Sequence, residues 1–274
     1  MTLIDARPRA DSPTRRTPMF VPTDLLMVLM VGIWGFNFPV VKYATRLMPP
    51  LAFNAIRITL AAIVLLAFAR ATVRVRPTPR QVLLLLALGV LGNGIYQMVF
   101  VGSIVDTDVG VAALLLASSP AFIALLSRAA GLGDISSRCA LGIALSLAGV
   151  ALIALTSRIA LDGTSSLEGN LLAVLAAVIW AVYVVLQARY VSDVDDTTVA
   201  ALTLAGGSLP LLMFGFPSML ATHWSALPLD VWMSILYGGV ISLALASVFW
   251  YRGVRILGAT RTGIYLHFEP VFAL

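Results

Sequence analysis

A chain of 274 residues that is 60% hydrophobic and 11% charged, with a mean hydropathy of +0.98, is not a water-soluble globular domain. Such domains are about 45–50% apolar and about 25% charged. The net charge of +5 is spread over short polar segments, so no nucleic-acid partner is expected. The single cysteine, Cys139, excludes an internal disulfide, and HExxH, GxSxG and Walker loops are missing, so neither a metal nor another cofactor is expected.

The apolar residues fall in runs of about 20, the length that crosses about 30 Å of hydrocarbon. An all-α polytopic membrane protein in a lipid bilayer is therefore predicted. Residues 1–23, with Arg7, Arg9, Arg15 and Arg16, form a polar N-terminal segment. The run from Asp24 to Ala44 is too long for a cleaved signal sequence and reads as the first span. Further spans are predicted at 51–69, 81–103, 109–127, 139–157, 169–188, 198–220 and 230–251, and a ninth runs from Ala259 to the end at Leu274. With the N-terminus inside, fourteen Lys and Arg fall on the inner side and three, Lys42, Arg46 and Arg158, on the outer. That asymmetry places the N-terminus in the cytoplasm.

An internal repeat is visible. Phe100–Phe122 and Trp250–Phe272 align at an offset of 150, which superposes Pro120 on Pro270; Ile33-Trp34-Gly35 matches Ile179-Trp180-Ala181 at an offset of 146. Two repeats are expected, the first with five helices at 24–157 and the second with four of its five at 169–274, and an odd number of spans per repeat inverts one relative to the other. Inverted repeats characterise secondary transporters. The fifth helix should recur near 289–307, so the chain reads as a truncated ten-helix protein or a nine-helix variant.

Several motifs carry a family resemblance. They are Trp34-Gly35 in a helix ending at Lys42, Asn54-x-x-Arg57, and Ala113-x-x-x-x-Ser118-Ser119-Pro120. In the second half they are Gly169-Asn170, Ala176-Ala177-x-x-Trp180-Ala181 and Tyr265-Leu266-x-x-Glu269-Pro270-Val271-Phe272. The chain resembles the EamA-type transporters of the drug/metabolite transporter superfamily from residue 24 onward. The resemblance implies a ten-helix inner-membrane carrier, often an exporter of amino acids or other small metabolites. The chain departs from it by stopping before the usual acidic residue after the ninth span.

Candidate substrate-binding residues follow from helical spacing. Trp34, Asn37 and Phe38 share one face of the first span, with Pro39 depriving the Gly35 carbonyl of its donor. Trp180, Tyr183 and Gln187 make the corresponding face of the sixth. Asn93, Tyr96 and Gln97 mark the third, where amides suit a polar solute and equally glue helices. Pro120 and Pro270, freeing the carbonyls of Leu116 and Leu266, are candidate hinges or static kinks. Small residues of the fifth span (Ala140, Gly142, Ala144, Ser146, Ala148) read as a packing seam. Glu269 is an acid deep in a span, where a charge costs about 2.5–3.5 kcal/mol. It is a candidate coupling site or a partner for Arg57 or Lys42, with Tyr265 on its face and His267 off it. Arg57, about six residues into its span, is expected to snorkel to the outer interface.

The leading expectation is a secondary carrier exporting a small metabolite by alternating access. A lipid flippase or drug efflux carrier of the same fold is the alternative. An intramembrane enzyme lacks paired catalytic groups, and a channel would require rings of carbonyls or charges.

Overall fold

The computed structural model describes residues 22–73, 75–132, 134–160, 166–191 and 194–274, without the side chains of Arg138 and of 153–160. The N-terminal segment with its arginines, Arg74 and the Arg158 side chain lie outside this set. All regular elements among the described residues are helical. The nine helices are α1 (Pro22–Leu47), α2 (Pro50–Thr72), α3 (Pro79–Asp106), α4 (Val109–Ala129), α5 (Ser137–Ala160), α6 (Leu167–Tyr190), α7 (Asp196–Ala221), α8 (Leu229–Leu257) and α9 (259–273). Among the described residues seven, all but α5 and α9, are long and apolar enough to cross a membrane. The last is divided into Ala259–Ile264, a 3-10 turn Tyr265–Phe268, and Glu269–Ala273.

Helix starts follow local chemistry. Pro50 opens α2 at a position whose N–H would have no partner anyway. Thr78 and Gln81 form a reciprocal capping box around Pro79 at the start of α3. Asp108 and Asp195 each accept two backbone N–H groups at the starts of α4 and α7. Gly258, at φ +82°, makes the reversal between α8 and α9, a conformation that L side chains resist.

The helices are apolar on most sides, and large side chains such as Leu209, Met213, Phe214 and Leu220 of α7 stay exposed. In water that surface would drive aggregation, whereas lipid matches it. Two separate apolar cores lie within. One gathers Met27, Met30, Ile58, Leu85, Leu204 and Trp250. The other gathers Phe38, Val41, Phe53, Ile104, Leu115 and Ile235.

Helix α7 packs most extensively against α2 and α3, and it crosses α3 closely. At that crossing an added Cβ on Gly89 would lie 2.1 Å from the Thr203 carbonyl oxygen, and one on Gly206 would lie 2.1 Å from that of Leu86. Small residues here let two backbones touch, as dispersion-driven packing in lipid requires. By contrast, the small-residue face of α5 has no such neighbour: Gly142 meets nothing within 4 Å, and Ala140, Ala144 and Ala148 are exposed. The expected seam is therefore not packed against the described residues of this chain.

Polar contacts tie the two ends. At one end Asp24 of α1 accepts from Arg261 at 3.0 and 3.1 Å and from Tyr265, both on α9. There too, Arg255 of α8 grips Asp196 of α7 with two bonds of 2.8 and 2.6 Å. At the other end Tyr43 of α1 bonds Asp230 of α8. Lys42 there donates to the carbonyls of Ile104, Val105 and Thr107, capping the C-terminus of α3.

Candidate functional site

Between the two cores lies a cavity of about 50 Å³ lined from six helices. Trp34 and Asn37 reach it from α1, Asn93, Tyr96 and Gln97 from α3, Trp180 from α6 and Glu269 from α9. Phe38, Phe100 and Leu116 belong to one core, and Trp180, Leu243 and Leu266 to the other. The lining therefore sits at the junction of the two.

Aromatic rings make the apolar walls. Trp34 meets Trp180 edge-on with centroids 5.7 Å apart, and Trp180 lies 5.0 Å from Tyr96 and 5.2 Å from Trp250. The Trp34 indole N–H donates to the Ser242 carbonyl at 2.9 Å, which fixes its rotamer. That carbonyl is free to accept because Ser242 lies in a π-helical stretch of α8, Tyr237–Leu245, where the usual ladder is interrupted. A shorter π turn, Val90–Ile95, interrupts α3 and contains Asn93.

Arg57 overturns its expectation. Rather than snorkelling, it is wholly buried beside the cavity. Its Nε donates to Asn54 Oδ1 at 3.0 Å, Nη1 to Asn37 Oδ1 at 3.3 Å and Nη2 to Gln97 Oε1 at 2.7 Å. The guanidinium carbon also lies 5.2 Å from the centre of the Phe53 ring. The side chain has room because Gly238 of α8 faces it: a Cβ there would come within 3.3 Å of Arg57 Cδ. An i, i+3 pair with Asn54 and amides on two other helices satisfy the charge inside the protein, so it has no need to reach water.

Glu269 is buried and faces the cavity, with no hydrogen bond or ion pair to another described residue. Neither expected partner reaches it, since Arg57 is held by amides and Lys42 by carbonyls. Its position depends on Gly35, where a Cβ would lie 2.6 Å from the Glu269 carbonyl oxygen. The 3-10 turn also moves Tyr265 off its face. Side chains three apart eclipse in such a turn. Leu266 therefore joins Glu269 at the cavity, while the Tyr265 hydroxyl goes to Asp24. His267 is exposed on the other side.

Tyr183 is buried outside the lining, with its hydroxyl 2.5 Å from that of Tyr251, which in turn is 2.9 Å from Thr203 Oγ1. Tyr251 lies one turn beyond Ser247 of the cavity and itself lines a vestibule of about 1110 Å³ at the end where Arg255 and Arg261 lie. The tyrosine pair thus stands between vestibule and cavity. Pro120 and Pro270 each sit in the first turn of a helical piece that follows a break, in α4 and α9. The carbonyls they would orphan are taken up locally: Leu116 accepts from Ser119 Oγ at 2.6 Å, and Leu266 from the Glu269 N–H.

Ser119, Ser242, Leu243, Ser247 and Leu266 complete the lining and were not among the predicted residues. Ser247 was findable, because the offset of 150 carries Gln97 onto it.

The fold and this buried site define a polytopic, all-helical membrane protein. The family model described as the EamA-like transporter family matches residues 21–155 and 167–274. The chain belongs to that family. An uncharacterized transporter of Bacillus subtilis, YdfC, is 29% identical over 246 residues, covering 90% of this chain and 79% of its own. An uncharacterized transporter of Archaeoglobus fulgidus is 27% identical, covering 91% and 86%. The Escherichia coli uncharacterized inner membrane transporter YedA is 29% identical, covering 88% and 77%. A solved crystal structure shares the fold at a TM-score of 0.67 and 22% identity, covering 92% of this chain and 86% of that one.

Proposed function

We propose that the protein is a secondary carrier that exports a small polar metabolite, such as an amino acid, by alternating access of two inverted halves. The observation that carries this reading is convergence. Trp34, Asn37, Asn93, Tyr96, Gln97 and Trp180 come from three helices to one cavity that also holds Glu269 from a fourth. A cavity that mixes aromatic walls with a few polar groups is the usual form of a small-solute site. In this reading Glu269 is the coupling carboxylate, because it is the cavity's acidic side chain and no cation neutralises it. Pro120 and Pro270 act as hinges, because each stands at a break in a helix that packs on the cavity. The chain lies in the plasma membrane with the N-terminus and the vestibule cytoplasmic, since Arg255 and Arg261 mark that end.

The test is untargeted mass spectrometry of medium and cells from strains overproducing the protein, its Glu269→Gln variant, or neither. Enrichment of a few related solutes in the medium, lost in Glu269→Gln, is the expected result. An unchanged medium would overturn export. Enrichment that survives in the variant would remove Glu269 from coupling and leave the carrier in place.

A further inference from the structure

We propose that the Arg57 side of the cavity is an anion subsite that takes a carboxylate group of the solute; this rests on the carrier reading above and adds its polarity. A guanidinium has five N–H donors and no acceptor. An amide that faces it must therefore present its oxygen, and Asn37 Oδ1 and Gln97 Oε1 do so. That fixes both amides: their NH₂ groups point away from Arg57, and both residues line the cavity. Neither NH₂ group donates a hydrogen bond within the described residues. Asn93 also lines the cavity, but its amide is engaged with the Tyr251 hydroxyl. Two NH₂ donors, one from α1 and one from α3, thus belong to side chains that border one small space.

The charge has the same sense. Arg57 pairs with no described carboxylate, and its other contacts are Asn54 and the Phe53 ring. Its positive charge acts through two polarised amides on a space shielded from water, where electrostatic interactions are strong. A group with two coplanar acceptor oxygens and one negative charge completes all of these contacts. Glu269, contributed by α9, is left to face whatever donor or cation the rest of the solute carries.

The probes are acetate, acetamide and methylammonium, added to the purified full chain while tryptophan emission reports on Trp34 and Trp180. Acetate is expected to give a saturable change that acetamide matches only at about tenfold or higher concentration. Chloride of equal ionic strength gives none. Two variants separate the subsite from folding. Gln97→Glu keeps an oxygen on Arg57 but neutralises the cation and removes an NH₂ group. Asn37→Asp does the same from α1, keeping its oxygen on Arg57. Each should weaken the acetate response about tenfold without weakening that of methylammonium. The subsite is overturned if acetate acts no better than acetamide or chloride, or if both variants keep the wild-type response. The carrier reading fails separately, by absence of saturable flux for any solute in proteoliposomes. Flux restricted to solutes without an acid group would keep that reading and sink the subsite.

Discussion

Arg57 fastens α2 to α1 and α3 through three amide oxygens, two of them on the other helices. Hydrogen bonds to a charged group contribute about 1.5–3 kcal/mol each, and an oxygen left unpaired in a buried site costs about 1–3 kcal/mol. Arg57→Leu is therefore expected to lower stability by about 3–5 kcal/mol, read as a fall in the unfolding temperature of the purified protein. Arg57→Lys should recover part of that, because an ammonium keeps the charge but not the fork that spans three amides. The identity of this residue was plain in the sequence and its position was not. Six residues from a helix end is a distance at which an arginine reaches the interface equally well. The decision fell to Asn37, Asn54, Gln97 and Gly238, of which only Asn54 lies near Arg57 in sequence.

At the scale of the element, the predicted spans agree with α1 to α8 to within about three residues at most ends, because apolar length and capping residues are local signals. The faces were harder to read. Helical spacing assumes a constant turn, and the cavity is built where the turn changes. The 3-10 turn of α9 exchanged Tyr265 for Leu266 beside Glu269, and two π segments set Asn93 and Ser242 in the walls. Gly and Ser clusters in 89–94 and 238–242 are consistent with such turns without specifying them. The α3–α7 crossing makes a sharper demand. Gly206→Leu would place a side chain where 2.1 Å is available to its first carbon, against backbone that has no rotamer to change. Loss of folded protein from membranes is expected, measured as monodisperse yield on size-exclusion chromatography. Leu at Gly142, which faces open space, should leave that yield unchanged.

For the whole molecule, access is one-sided. The wide vestibule reaches Tyr251 from the end marked by Arg255 and Arg261, whereas the opposite end is tied by Tyr43–Asp230 and by Lys42 on α3. In a chain with Cys139 replaced by Ser, a cysteine at Ala188 should react with a membrane-impermeant maleimide in inside-out vesicles and be protected in intact cells. Equal labelling in both would contradict the proposed cytoplasmic orientation of the vestibule. The family and the polytopic, all-helical architecture were legible in the sequence, because they depend on hydropathy and on motifs such as Trp34-Gly35 and Glu269-Pro270, whereas seven of the nine expected spans are long and apolar enough to cross among the described residues. The division of the interior into two apolar cores was not, since it depends on which distant side chains meet. That division has a practical outcome. Tyr96 bridges the boundary between the cores, from Phe100 to Trp180, and a solute lodged beside it acts as further mortar. Occupancy at about 100 times the dissociation constant adds about 2.7 kcal/mol to the folded state. The protein should thus announce its own cargo by melting later, so that mixtures of cell extract can be fractionated against its melting point before any transport is measured.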